Sequence, residues 1–166
     1  YEELTTNRRV RMHAQVAAAL EARHAHRLDE HLDELAYHFA EGALAGDANK
    51  AIEYARRAGA RADRELAFES AAMQYERALG ALELVDVPDP TVQCDIELAL
   101  ASALYNAGDE RLRDAVFAAA ASARELGDAE RLATAALIVT VTGGTSNAML
   151  DTELVALIEE ALDLIG

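Results

Sequence analysis

Residues 48–82 read ANKAIEYARRAGARADRELAFESAAMQYERALGAL. Apolar or small residues recur there at Ile52, Ala55, Ala58, Gly59 and Ala62, and again at Phe68, Ala71, Tyr75, Ala78, Leu79 and Leu82. Positions three and four apart share one face of a helix, so the spacing predicts two amphipathic helices joined by a short turn. Asp47, just ahead of the first, is a residue type that satisfies the free N–H groups of a helix start. Ala58-Gly59 falls mid-helix, where a second helix crosses closely only if the side chains are small. Ala71 and Tyr75 follow in the second helix. The expectation is a close crossing at Gly59 and Ala71, with Tyr75 filling the space beside it.

The same period extends in both directions. Helix one is expected from Thr6, as N-cap, to Arg23, with Val10, Val16, Ala17 and Leu20 on one face. Helix two carries Leu28, Leu32, Leu35, Ala36, Phe39 and Ala43 and ends near Ala45-Gly46. Downstream, Pro88 and Pro90 interrupt the pattern, and Asp89-Pro90 suits the N-cap and first position of helix five. That helix holds Val92, Ile96, Ala99, Ala103 and Ala107 and stops at Gly108-Asp109; helix six holds Leu112, Ala115, Ala119, Ala123 and Leu126 and stops at Gly127-Asp128. Helix seven holds Leu132, Ala135, Ala136 and Val139, and its β-branched end, Ile138–Thr142, is poorly suited to a helix. Gly143–Asn147 reads as a loop, and helix eight follows Asp151 with Leu154, Leu157, Ile158, Ala161, Leu162 and Ile165. The prediction is an all-α fold of about eight helices in four antiparallel hairpins. One hairpin cannot bury both of its faces, so hairpins stack.

Ala58-Gly59, Ala71, Tyr75 and Ala78 together resemble the tetratricopeptide repeat in register. Ala55 and Ala62 stand where that pattern has aromatics, and no Pro closes the unit. Helices five and six resemble a looser second copy, with Gly108-Asp109 at the turn but Arg113 at the small-residue position. The resemblance implies a right-handed superhelix of stacked hairpins.

Composition agrees with a helical chain. Only 2 prolines and 9 glycines interrupt it, alanine dominates, and aromatics make up 5% with no Trp. A core without large rings needs closely packed helices. The net charge of −15 repels phosphate, which argues against direct nucleic-acid binding. Residues 1–27 differ: five arginines (8, 9, 11, 23, 27) face three glutamates (2, 3, 21), a net of +2, so the rest carries −17. The organisation read from this is a first helix over 1–27 and a repeat array over 28–166, in one compact domain. Cys94 stands alone and cannot close an internal disulfide, which suits a reducing, cytoplasmic setting. No apolar run is long enough to span a membrane. Opening on Tyr1-Glu2-Glu3 suggests a segment whose natural start lies upstream.

Several stretches are similar to one family. Tyr1-Glu2-Glu3-Leu4, Arg8-Arg9-Val10-Arg11-Met12-His13 and Val16-Ala17-Ala18-Ala19-Leu20-Glu21 come first, followed by Leu35-Ala36-Tyr37-His38-Phe39 and Lys50-Ala51-Ile52-Glu53-Tyr54. Glu125-Leu126-Gly127-Asp128-Ala129 and Leu154–Leu162 complete the series. In this order they resemble the helical segment that follows the ATPase and winged-helix modules in bacterial LuxR-type and cyclase-linked signal-transducing (STAND) ATPases. The resemblance covers nearly the whole chain. It implies a non-catalytic sensor or protein-interaction region in a transcriptional regulator, with ATP bound in an upstream module. This chain contains no Gly-x4-Gly-Lys-Ser/Thr, so no nucleotide or other cofactor site carries over to it. The alternative is a free-standing adaptor that scaffolds protein partners.

In the repeat family, first-helix residues one turn apart line a concave groove. Here these are Glu53, Arg56, Ala60, Asp63 and Arg64, then Leu98, Ser102, Tyr105 and Asn106. The expected ligand is a protein, a peptide or a small inducer; Ala60 stands where a carboxylate-clamping repeat has Asn. Arg8, Arg9 and Arg11 are candidate contacts to the ATPase module. His31 and His38 with Glu34 have helical spacing that could hold a metal, but no HExxH or Cys pair supports one, and no metal site is assigned. His13 is expected in the core of helix one. Gly143-Gly144-Thr145-Ser146 lacks the Lys of a phosphate loop, and Cys94 has no basic neighbour to activate it. No nucleophile, acid–base pair or metal set suggests an enzyme.

Overall fold

The computed structural model describes residues 2–140 and 152–165, with side chains placed for 5–138 and 152–164. These residues form eight α-helices and no strand. They are α1 (Glu2–Arg23), α2 (Leu32–Gly42), α3 (Ala48–Arg64), α4 (Phe68–Leu82), α5 (Pro90–Ala107), α6 (Leu112–Leu126), α7 (Ala129–Thr140) and α8 (Thr152–Ile165). The all-α class and the helix number agree with the sequence reading. No described helix is long and apolar enough to cross a membrane.

The chain divides into two compact units, Tyr1–Pro88 and Asp89–Gly166. In the first, α1 packs on α2, α2 on α3, and α3 on α4. In the second, α5 packs on α6 and α7, α6 on α7, and α7 on α8. Alanine is the commonest buried residue among those described, as at Ala51, Ala55, Ala58, Ala71, Ala78, Ala119, Ala120 and Ala123. The largest side chains with almost no exposure are Leu35, Ile96, Leu104, Leu132, Leu157 and Val116, and the rings of Phe39, Tyr54 and Tyr75 are buried too.

The close crossing falls where expected. A Cβ placed on Gly59 would lie 2.7 Å from Tyr75 Cε1, so the ring rests directly on the glycine. Tyr75 thus makes the crossing itself rather than filling space beside it. Its hydroxyl donates to Asp63 Oδ2 at 2.7 Å, which fixes the ring on that spot. α1 and α2 approach more closely still: a Cβ on Gly42 would lie 2.5 Å from Ala14 N.

Helix ends follow local chemistry. Asp47 Oδ1 accepts from the Asn49 and Lys50 amides, and Asp89 Oδ1 from Thr91. Gly108 and Gly127 adopt left-handed φ of 68° and 65° and close α5 and α6 with paired Schellman hydrogen bonds. α3 ends with the same bonds, Leu66 N to Asp63 O and Ala67 N to Ala62 O, although its left-handed residue is Leu66.

The first two helices differ in their boundaries from the sequence reading. α1 runs through Thr6, because the acidic Glu2 and Glu3 suit a helix N-terminus as well as a threonine cap does. Leu28–His31 forms a separate 3-10 turn, so α2 starts only at Leu32, and Ala43–Ala45 forms a second 3-10 turn after it. The β-branched end of helix seven is helical as far as Thr140. Residues 141–142 and the loop reading of Gly143–Asn147 lie outside the described residues.

Candidate functional site

The first unit carries a cleft of about 470 Å³ between α2, α3 and α4. It is lined by Asp33, Glu34, Tyr37 and His38 from α2, by Ala58, Arg61 and Ala62 from α3, and by Glu65 just after it. The α3–α4 turn and α4 supply Ala67, Ser70, Met73, Gln74 and Arg77. That volume suits a small molecule or a few side chains of a peptide.

Two of its apolar groups are open to solvent, Tyr37 at 41% and Met73 at 44% exposure. The Arg77 guanidinium lies 5.6 Å from the centre of the Tyr37 ring and donates to Gln74 Oε1 at 3.2 Å. Gln74, itself buried, donates to Asp33 Oδ1 at 3.3 Å. These contacts link α4 to α2 and hold the aromatic ring in place. On the α3 side, Arg61 donates to Glu65 Oε1 at 2.9 Å and to the Asp29 carbonyl at 3.0 Å. Leu66 is 73% exposed and sits between the lining residues Glu65 and Ala67 in a backbone conformation that costs energy for a side-chain-bearing residue. A bound group would meet two apolar faces bordered by fixed charges of both signs.

The residues expected to line a groove lie elsewhere. A step of about 100° per residue puts Glu53, Arg56, Ala60, Asp63 and Arg64 on the side of α3 opposite Ala58, Arg61, Ala62 and Glu65. Glu53 is exposed and paired with Arg57 at 3.1 Å; Arg56 is half-buried and Arg64 exposed. Asp63 is taken up by the Tyr75 hydroxyl. In the second unit, Ser102 and Asn106 are exposed, and Asn106 Nδ2 donates to the Ser102 carbonyl at 2.9 Å. Tyr105 is half-buried, and Leu98 packs against the core of that unit. Arg8, Arg9 and Arg11 are exposed on α1, and Arg11 Nε reaches the Asn7 carbonyl at 3.3 Å.

The cleft is hard to read from the sequence because most of its lining, Ala58, Ala62 and Gln74 excepted, lies off the buried stripes. The signal available was the placement of Tyr37 and Met73, large apolar residues at positions the helical period leaves outside, with Arg77 one turn beyond Met73.

The histidines do not form the His31–Glu34–His38 arrangement. His31 pairs with Glu34 at 3.4 Å and meets the His24 ring at a tilt of 34°, their ring centroids 3.7 Å apart. His38 turns instead to His13, Nδ1 to Nδ1 at 3.1 Å, so His13 is half-buried and paired across two helices rather than a core residue. Burial and His13 hold the His38 imidazole below the ordinary 6.5, against the pull of Glu34 and Glu41. Among the described residues, no group of three or more His, Cys, Asp or Glu side chains could hold a metal ion. Cys94 is fully buried with Sγ 3.7 Å from the Ala119 carbonyl; burial and then Glu97 push its thiol up to about 11. The nearby Glu97 is buried too, with Oε1 accepting from Gln93 and Oε2 lacking a partner among the described residues.

Comparison of the chain with protein-family models, curated proteins and solved structures finds no match.

Proposed function

We propose that this chain is the sensor and protein-interaction region of a cytoplasmic signal-transducing ATPase that regulates transcription, and that the α2–α3–α4 cleft receives its peptide or small inducer. The observation that carries the binding role is the cleft itself: solvent-open Tyr37 and Met73 held among Asp33, Arg61, Glu65 and Arg77. The assignment to a regulator rests on the ordered stretches from Tyr1-Glu2-Glu3-Leu4 to Leu154–Leu162 that resemble the family. In this reading ATP binds in an upstream module, Arg8, Arg9 and Arg11 face that module, and the hairpins hold it in an off state until the cleft fills. A region with no chemistry of its own acts only through contacts that differ between two states. Its net charge of −15 leaves DNA contact to another part of the protein.

The test compares nucleotide turnover and promoter binding in the parent protein, a form lacking residues 29–166, and an Arg8/Arg9/Arg11→Ala variant. The off-state reading expects basal output to rise on truncation by roughly 5–150-fold, the range of a 1–3 kcal/mol coupling. Loss of activity in a folded truncation makes the array an activator and overturns the off state. Identical behaviour of all three forms favours an adaptor that recruits partners independently. Tyr37→Ala and Met73→Ala, both at exposed positions, should abolish inducer or partner response while leaving the fold intact.

A further inference from the structure

We propose that α1 is fastened to the rest of the first unit by a proton-sensitive clasp: the His13–His38 and His24–His31 pairs hold it at neutral pH, and charging both partners of a pair releases it.

Four of the five histidines join α1 and the residue just after it to the following turn and α2. Two neutral imidazoles 3.1 Å apart at Nδ1 share one hydrogen bond, one ring donating and the other accepting. A first added proton leaves such a bond possible. A second makes both Nδ1 atoms donors, with two positive charges at contact distance and no acceptor between them. The rings have little freedom to part. One residue from His13, Ala14 backbone lies against Gly42 so closely that a Cβ would not fit, and Tyr37 packs edge-on against both His13 and His38. Relief therefore requires the helices to separate.

The N-terminal part of α1 also meets the Ala43–Ala45 turn, but α1 buries little apolar surface. Ala17 is its only buried apolar residue among those described, and Met12 and Val16 are exposed. The polar anchor lies further along, where Glu21 accepts from Lys50 at 2.5 Å and Tyr54 at 2.7 Å.

The groups around each pair set the response. His13 from α1 and Glu34 and Glu41 from α2 act on His38, and Asp33 from α2, Arg61 from α3, Glu65 just after it and Arg77 from α4 line the same cleft. Around His24 stand His31, Arg23 and Arg27, with Glu34 opposing. α1 also carries Arg9 four residues before His13, on the same face. Burial and like charges win at both sites, so the His38 and His24 imidazoles lie below 6.5. The unfolded or detached state then binds more protons than the clasped one. Stability of the clasp is complete above about pH 6.5 and is lost as pH falls below it. Glu21 titrates lower, so between about pH 6.5 and 5 its anchor persists while the histidine pairs fail.

The inference stands independently of the regulatory assignment. The experiment is amide hydrogen exchange on the 166-residue chain at pH 7.5 and 5.0, corrected for the intrinsic pH dependence of exchange. Protection of residues 5–20 should drop at the lower pH, while α3 to α6 stay protected. In His13→Gln, whose amide can still bond His38, that drop should shrink severalfold. Unchanged α1 protection, an equal loss across α3 and α4, or a full pH response in His13→Gln overturns the clasp. Should the variant fail to fold, proton NMR of the wild-type ring resonances decides alone: the clasp requires His38 and His24 to titrate below 6.5 with coupled, two-step curves, and independent single steps at that value refute it.

Discussion

Replacing Gly59 by alanine sets two effects of opposite sign against each other. Helix propensity favours the change by up to about 1 kcal/mol, since glycine in a helix interior is the poorer former. Packing opposes it. The new Cβ would stand 2.7 Å from Tyr75 Cε1, 2.9 Å from Cζ and 3.0 Å from Cδ1. A flexible side chain would yield, but Tyr75 is 5% exposed and its hydroxyl is tied to Asp63. Inserting a methyl into such a contact costs about 1–3 kcal/mol, and losing a hydrogen bond to a carboxylate about 1.5–3 kcal/mol if the ring is driven off. Packing wins, for a net loss of about 1–3 kcal/mol in Gly59→Ala and more in Gly59→Leu. In a unit of this size that lowers the thermal midpoint by roughly 5–20 °C. Near-ultraviolet circular dichroism follows the first unit directly, because the buried rings Tyr54 and Tyr75 both lie in it. A Tyr75→Leu background supplies the control: with the ring gone, Gly59→Ala should turn neutral or stabilising, which closes a double-mutant cycle. An unchanged or raised midpoint in the single variant would refute the close crossing.

Other substitutions probe separate features. Gly42→Ala should cost about 2 kcal/mol or more, because backbone rather than a side chain blocks its Cβ, whereas Gly80→Ala, with nothing within 4 Å, should gain about 0.5–1 kcal/mol; paired melts decide. Leu66→Gly should raise the midpoint by the equivalent of about 1 kcal/mol by removing the left-handed penalty at the α3 cap; a lower midpoint would show that the exposed leucine packs. Burial raises the Glu21 carboxyl, but hydrogen bonds from Lys50 and Tyr54 and the charge of Lys50 outweigh it and hold the group below 4.5. Its contribution is present above that pH and lost as pH falls below it, so Glu21→Gln should cost about 1.5–3 kcal/mol at pH 7, a gap that closes in acid; a constant gap would refute the assignment. Cys94 should resist thiol reagents at pH 8 and react only when the second unit opens, so fast labelling of the native chain would contradict its burial.

Much of the helical frame was legible because its signals are local. Asp47, Asp89, Gly108 and Gly127 punctuate the chain through their own hydrogen bonds and dihedral preferences, and the structure uses all four at helix ends. Gly59, Ala71 and Tyr75 announced the crossing through size alone. The 3-10 turn at Leu28–His31 was not legible, since leucine at that spacing reads the same in either helix type. Neither was the third Schellman cap, because a leucine stands where glycine normally signals one. The cleft and the histidine pairs needed relative helix rotation, a tertiary quantity that spacing within one helix does not contain. Sequence periodicity placed His31 and His38 near each other on one helix; the histidine each met came from outside α2.

The alanine-lined interior also shapes how this protein responds to temperature. An alanine has no rotamers to lose on folding and gives up little apolar surface to do so. Both the gain from burial and the side-chain cost of ordering are therefore smaller per residue than in a core of leucine and phenylalanine. Heat capacity follows apolar area, so the increment on unfolding should fall below the usual ~12–15 cal/mol/K per residue. A smaller increment flattens the stability curve at both ends. The helices should then lose little on cooling and melt over a broad range on heating, trading the height of the stability maximum for its width.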